Sequence, residues 1–156
     1  MQAGHGSQPD DVGVEWLNAP AAWAFYLFII ATVRLLAGLF PGCNPFHAWT
    51  IVNVLHAVIT FYIFHWLKGS PFPTYWAVCT PSNDKRTWWE QLDHRWQNTP
   101  SRKFCTAVVC LLYFCAAITT PPQHPFYHSI NFVAFVIVFI AKLPAMDSVR
   151  ILGINR

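Results

Sequence analysis

The sequence predicts an all-α membrane protein: four transmembrane helices, with a short cytosolic amphipathic helix between the second and the third. Three observations predict it. The 156-residue chain is 54% hydrophobic and only 11% charged, too apolar for an ordinary soluble domain and too short for more than one compact unit. Its apolar residues gather into four stretches, residues 22–40, 46–66, 104–119 and 126–143, each close to the ~20 residues that cross a ~30 Å hydrocarbon core. Among its ten Lys and Arg residues, Arg34 alone lies deep in a stretch; the other nine, with Lys142 at the exit of the fourth, fall on one side of a bilayer if the stretches span it. Lys and Arg favour cytoplasmic loops, so that side is the cytosol and both termini lie there. Helix is the default for each span, because in lipid a segment must satisfy its own backbone hydrogen bonds.

Taken in order, residues 1–21 form a cytosolic N-terminal segment carrying Asp10, Asp11 and Glu15. An acidic flank, followed by one apolar stretch and closely by a second, does not describe a cleavable signal peptide. In the first span Arg34 is seven residues from Pro41. That is roughly 10 Å along a helix, which its side chain covers by snorkelling toward the lumenal interface. The links after the first and third spans carry no Asp, Glu, Lys or Arg. The second span places Asn53 and His56 three residues apart on one face, a pattern suited to hydrogen bonds between helices. Asn131 in the fourth span, with His128 three residues earlier, is a similar case. The third span is the shortest; it stops before Pro121 and Pro122, and residues 101–103 can extend it by a turn.

The long cytosolic link, residues 67–103, holds Lys68, Lys85, Arg86, Arg95, Arg102 and Lys103. Near residues 86–97 it places Trp88, Trp89, Leu92 and Trp96 at helical spacing, with Glu90, Asp93 and Arg95 turned elsewhere. This reads as an amphipathic helix whose tryptophans either lie at the headgroup interface or dock on a membrane-bound partner. The tail, residues 144–156, adds Arg150 and Arg156. The whole chain, 1–156, is a single four-helix membrane domain.

All seven acids (Asp10, Asp11, Glu15, Asp84, Glu90, Asp93, Asp147) fall outside the spans, so no carboxylate is available at mid-membrane to relay protons or hold a metal. This weighs against a transporter or an intramembrane hydrolase. Cys105, Cys110 and Cys115 are spread around a helix and not gathered at one point, while Cys43 is the only cysteine in a lumenal loop. His47 and His65 lie nine residues either side of His56, and the loops hold no HxxH or HxxxH box. Neither a metal nor a cofactor is expected. The net charge of +3 sits in loops at a membrane surface, where it suits anionic headgroups and not nucleic acid.

Five motifs then stand in order: Lys68-Gly69-Ser70-Pro71-Phe72, Trp88-Trp89-Glu90-Gln91-Leu92-Asp93, Ser101-Arg102-Lys103-Phe104, Lys142-Leu143-Pro144, and Val149-Arg150-Ile151-Leu152-Gly153-Ile154-Asn155. Together with the spacing of the spans they closely resemble the Orm/ORMDL family, from about Glu15 to the end of the chain. Trp23, Trp49, Asn53, His56 and His65 also match the family's residue types. The resemblance implies a non-catalytic endoplasmic reticulum protein, with no cofactor of its own. It would bind serine palmitoyltransferase, its large subunits and its small activating subunit, and restrain it when ceramide is plentiful. The segment before the first span, about residues 10–16 here, would enter the enzyme's substrate tunnel with ceramide bound.

The chain departs from the family in three places. Gly13 and Val14 stand where the family usually has Asn, often followed by Thr; the Asn is thought to hydrogen-bond ceramide, and Gly13 has no side chain to do so. Backbone groups or Asp11 are the available substitutes. The stretch between Phe72 and Trp88 is longer and lacks the family's Asp-Gln-Gly, and Ser7 is the only Ser or Thr before the first span, so the serine-rich extension of fungal members is missing.

Ceramide has two long chains and a small head, so its site is expected where apolar surface meets the cytosolic interface: Ile63, Phe64 and Trp88 together with Asp11, Gly13 and Val14. Trp23, Asn53, His56, His65, Trp89, Glu90, Asn131, Arg150 and Asn155 are the candidates for contacts with a partner or between helices. Two other readings remain open: a structural subunit of the same complex that does not sense ceramide, and a lipid-modifying enzyme using His47, His56 and His65.

Overall fold

A computed structural model of the chain describes residues 19–68, 86–92 and 98–149. Among these residues there are five α-helices: α1 (Pro20–Gly38), α2 (Pro45–Phe61), α3 (Trp88–Gln91), α4 (Pro100–Thr119) and α5 (Pro125–Ala141). A π-helical turn, Tyr62–Trp66, continues α2, and a 3-10 turn, Pro144–Met146, follows α5.

Each of the four long helices opens on a proline, upstream of the first apolar residue of its run. Proline suits that position because its fixed φ is already helical and its missing N–H would have had no partner there. Capping reinforces two of the starts. The Asn44 N–H donates to His47 Nδ1 at 3.4 Å ahead of α2, and Thr99 Oγ1 accepts from the Arg102 N–H at 3.4 Å ahead of α4. Gly42, at φ 80°, turns the chain between α1 and α2 in a conformation that suits a residue without a Cβ.

Three helical segments are long and apolar enough to cross a membrane: Pro20–Gly38, Pro45–Trp66 and Pro100–Thr119, of 19, 22 and 20 residues. The fourth, Pro125–Ala141, is apolar but shorter, at 17 residues. At ~1.5 Å per residue it covers about 25 Å.

Helix α2 is the hub, packing against α1, α4 and α5, while α4 also packs on α5. The contacts use small residues where backbones approach: Ala48 and Ala116 are wholly buried and Ala57 nearly so. Around them, Val52 meets Val108 and Leu112 on α4, and Ala57 meets Val109 and Val138. Helix α1 is the least enclosed. Ala37 is its only buried residue, and Phe25, Phe28, Leu35 and Leu36 are exposed along its outer side. Between α2 and α5 runs an apolar groove of about 620 Å³, bordered by Val58, Tyr62, Trp66, Ile130, Val133 and Ile137 among others.

Of the amphipathic helix expected near residues 86–97, the structure describes residues 86–92. Within the described residues the helix is the single turn Trp88–Gln91, and Asp93, Arg95 and Trp96 lie outside them. Glu90, expected to turn away from the apolar side, is buried with Gln91 as completely as Trp89 and Leu92 are. Hydrogen bonding explains the reversal. Glu90 Oε2 accepts from the Thr87 N–H at 2.8 Å, closing a capping box, and Oε1 accepts from the Ser148 N–H at 3.0 Å. The turn is therefore covered on both sides: by the bundle on one and by the segment after α5 on the other.

Candidate functional site

The feature that distinguishes this bundle is the end at which α2 and α5 finish and α4 begins, and Trp89 is its centre. The chain reaches it through the π-turn, which delivers Phe64 and His65 to the Trp89 ring at centroid distances of 5.9 and 5.5 Å. Lys68 then pairs with Thr87 in an antiparallel bridge, and the Trp88 N–H donates to Leu67 O at 3.3 Å, holding α3 against the exit of α2.

Two cations close the arrangement. Arg102, in the first turn of α4, donates from Nη2 to the carbonyl oxygens of Trp89 at 2.7 Å and Leu92 at 3.3 Å, with its guanidinium carbon 5.1 Å from the Trp89 ring centroid. Lys142, at the C-cap of α5, places Nζ 4.0 Å from the Trp89 centroid and 4.7 Å from that of Phe64. Both side chains are buried, Arg102 at 3% exposure and Lys142 at 5%. A cation over an aromatic face is attracted by the ring quadrupole, most strongly where water is excluded. In the sequence Arg102 and Lys142 stand as markers of sidedness and as members of two of the five motifs, with no contact assigned to their side chains. Their positions within a turn of a helix end were the signal that they could fold back into the bundle.

Between α2 and α5, deeper in the bundle, the polar groups are neutral. Asn53 Nδ2 donates to Asn131 Oδ1 at 2.9 Å, and Asn131 Nδ2 donates in turn to Thr50 Oγ1 at 2.9 Å. Asn53 is 3% exposed and Asn131 is fully buried, so α2 and α5 are joined by a chain of paired amides. His56, although three residues from Asn53, serves a different neighbour: its Nε2 is hydrogen-bonded to the Tyr26 hydroxyl of α1. Arg34 lies over the Trp49 ring, 5.1 Å from guanidinium carbon to centroid, and its Nη1 reaches forward along α1 to Gly38. At the far end Phe46 stacks on His124 at 5.1 Å.

The candidate residues thus divide into three groups. Phe64, Trp88, His65, Trp89 and Glu90 come together at the Trp89 end, with half-buried Ile63 in the adjoining π-turn. Trp23 stacks on Phe104 at 4.9 Å, next to that end, while Asn53, His56 and Asn131 lie deeper. Asp11, Gly13, Val14, Arg150 and Asn155 lie outside the described residues. The three histidines considered for an enzyme do not gather: His47 contacts Phe46 and Tyr127, His56 contacts Tyr26, and His65 contacts Trp89. Among the described residues no three His, Cys, Asp or Glu side chains lie close enough to share a metal ion.

Comparison with known proteins agrees with the motifs. Residues 11–150 match the ORMDL family. The ORM1-like protein of Drosophila melanogaster is 35% identical over 160 aligned residues, covering 100% of this chain and 97% of the relative. Human ORM1-like protein 1 is 33% identical and human ORM1-like protein 3 is 32% identical, each over 143 residues covering 90% of this chain and 89% of the relative. With most of its length matched to the family and full-length relatives above 30% identity, the chain belongs to the ORMDL family.

Proposed function

We propose that this chain is a non-catalytic regulatory subunit of serine palmitoyltransferase, binding the enzyme's large and small subunits in the endoplasmic reticulum membrane and restraining it in response to ceramide. In this reading it is one four-span domain with both termini in the cytosol. Helix α5 serves as the fourth span, its 17 residues extended by Lys142 and Leu143 at the interface. The two short links are free of charged residues and the long link is rich in Lys and Arg, as that orientation requires.

The observation that carries the proposal is where the family motifs meet. Of the five runs that carry the resemblance, four contribute residues to the Trp89 end: Lys68 through its bridge to Thr87, α3 with its C-cap Leu92, Arg102 from α4, and Lys142 at the C-cap of α5. Residues far apart in the chain and shared with the family converge on one small region. That is the pattern of a surface built for a shared partner or ligand.

Restraint by ceramide is then a linkage effect. The lipid favours the inhibited state only by binding it better than the active one. Ile63, Phe64 and Trp88 supply apolar surface at the helix ends, and the segment with Asp11, Gly13 and Val14 is the element that lipid would hold in place. Trp88 is half-buried against this cluster. Trp88→Ala is expected to weaken the ceramide response more than assembly of the complex; identical inhibition curves for variant and parent would sink that role.

The decisive experiment is the rate of serine and palmitoyl-CoA condensation by the cognate synthase in membranes, with and without this protein, across added ceramide. Inhibition that deepens with ceramide supports the sensing regulator. Inhibition indifferent to ceramide selects the non-sensing subunit, the reading that Gly13 favours. No inhibition and no association would overturn both.

A further inference from the structure

Lys142 is the most exacting residue in the bundle. Its ammonium carries three N–H donors and no acceptor. Nζ is buried and, among the described residues, has no hydrogen-bond partner, with the rings of Trp89 and Phe64 beside it. Aromatic faces attract the charge but offer no lone pair, so the donors remain unmet. A buried donor without an acceptor is strongly destabilising, and native proteins keep such groups for a reason.

Two other groups of the same cluster share this condition. Trp88 Nε1 is a donor only, and His65 Nε2 is able to donate; both are buried atoms without hydrogen-bond partners among the described residues. His65 lies 5.5 Å from Trp89 between centroids, and Trp88 packs against the cluster of Phe64, Trp89, Leu92 and Cys105. The guanidinium of Arg102 adds a second positive charge against the same Trp89 ring. The buried Glu90 carboxylate at this end accepts from the Thr87 and Ser148 N–H groups, so an ion or molecule that satisfies these donors must bring acceptors of its own. The position is the end of the bundle where three long helices stop or start, and for helices that cross a bilayer that is the headgroup level.

We propose that Lys142, with His65 and Trp88, forms a binding site for a phosphate-bearing anion, whose natural source is a phospholipid headgroup. The ammonium supplies the charge-assisted hydrogen bond to a phosphate oxygen, the indole and imidazole N–H groups supply neutral ones, and Phe64 and Trp89 wall the site from the hydrocarbon side. The Trp88 and His65 side chains are half-buried, with their donor nitrogens on the covered side. The site does not depend on the regulatory reading: it stands on unmet donors and follows from any membrane role.

The test uses the full chain purified in a maltoside detergent, which contains no phosphate. The thermal unfolding midpoint is followed while dihexanoylphosphatidylglycerol, or separately inorganic phosphate, is added. The short-chain lipid is expected to raise the midpoint of the parent by several degrees. Lys142→Met, which replaces a buried cation with an apolar side chain of similar length, is expected to fold at least as well without lipid, because a desolvation penalty is removed. It should need about tenfold more lipid for the same shift, the loss of one charge-assisted hydrogen bond. Trp88→Phe, which keeps a ring and removes one donor, should move the curve the same way by less, and it carries the test if Lys142→Met fails to fold. A Lys142-dependent shift with lipid alone identifies a headgroup site, and the same shift with inorganic phosphate identifies free phosphate. An unmoved parent, or variants that respond like the parent, overturns the site. So does a Lys142→Met protein that loses a protein partner while neither probe moves the parent, since the missing acceptor would then belong to that partner.

Discussion

At mid-bundle, Asn53, Asn131 and Thr50 join two helices through neutral amide and hydroxyl groups; at the Trp89 end, Arg102 and Glu90 join helix ends, link and tail through full charges. Both regions answer the same difficulty. In lipid an apolar side chain gains little by leaving hydrocarbon for another helix, so packing and polar contacts must select the partner. The means differ because the surroundings differ. An ion at depth carries a heavy desolvation cost, whereas an amide can have its donors and acceptor met by a second amide. At Leu92, where α3 ends, a guanidinium takes the carbonyl oxygens of both Trp89 and Leu92. Neutral pairs set which helix lies beside which; charges tie off the ends.

The sharpest way to break this comparison is Arg102→Ala. It removes two hydrogen bonds from a charged donor and a ring contact, and is expected to destabilise the fold by about 3 kcal/mol, measured by unfolding in mixed detergent. A loss no larger than that of the mid-bundle variants would remove the distinction between the regions. Asn131→Ala is next. It removes the donor to Thr50 and leaves Asn53 Nδ2 only the backbone carbonyl of residue 131 at 3.4 Å, and measured hydrogen bonds between membrane helices give an expected cost of ~1–2 kcal/mol, with weaker contact between α2 and α5 read by crosslinking. The smallest effect, roughly 0.6 kcal/mol, is expected of Tyr26→Phe, which removes only the hydroxyl that meets His56. A double-mutant cycle with His56→Phe would sharpen the comparison by giving the coupling of one neutral pair directly.

The helical class, the apolar runs and the lone amides were legible because each is a local property. A single Asn in a run of Val, Ile and Phe stands out, and its need for a polar neighbour follows from its chemistry alone. What could not be read was the identity of that neighbour: Asn53 and His56, though on one face, bond to different helices 78 and 30 residues away in sequence. The burial of Arg102 and Lys142 was hidden for a related reason. A cation beside a span reads as a topology marker, and only the arrival of Trp89 from the link converts it into a buried contact. Glu90 was misread because helical spacing assigns a face to each residue but says nothing of a second surface, here the Ser148 segment, covering the other side. The helix starts had a visible signal in Pro20, Pro45, Pro100 and Pro125, which counting apolar residues overlooks.

The π-turn at Tyr62–Trp66 has one more consequence. Widening a turn by one residue puts everything after it out of phase, by about 100°, with the helix before it. Phe64 can therefore look inward to Trp89 while Trp66 borders the outer groove, and Leu67 leaves in the direction that lets it meet Trp88. The second helix works as a shaft with a fixed offset at its tip: the angle of the link is set within the bundle, before the first residue of the link is reached. Deleting one residue from that turn would leave the length of the span nearly unchanged and swing the whole Trp89 assembly around the axis.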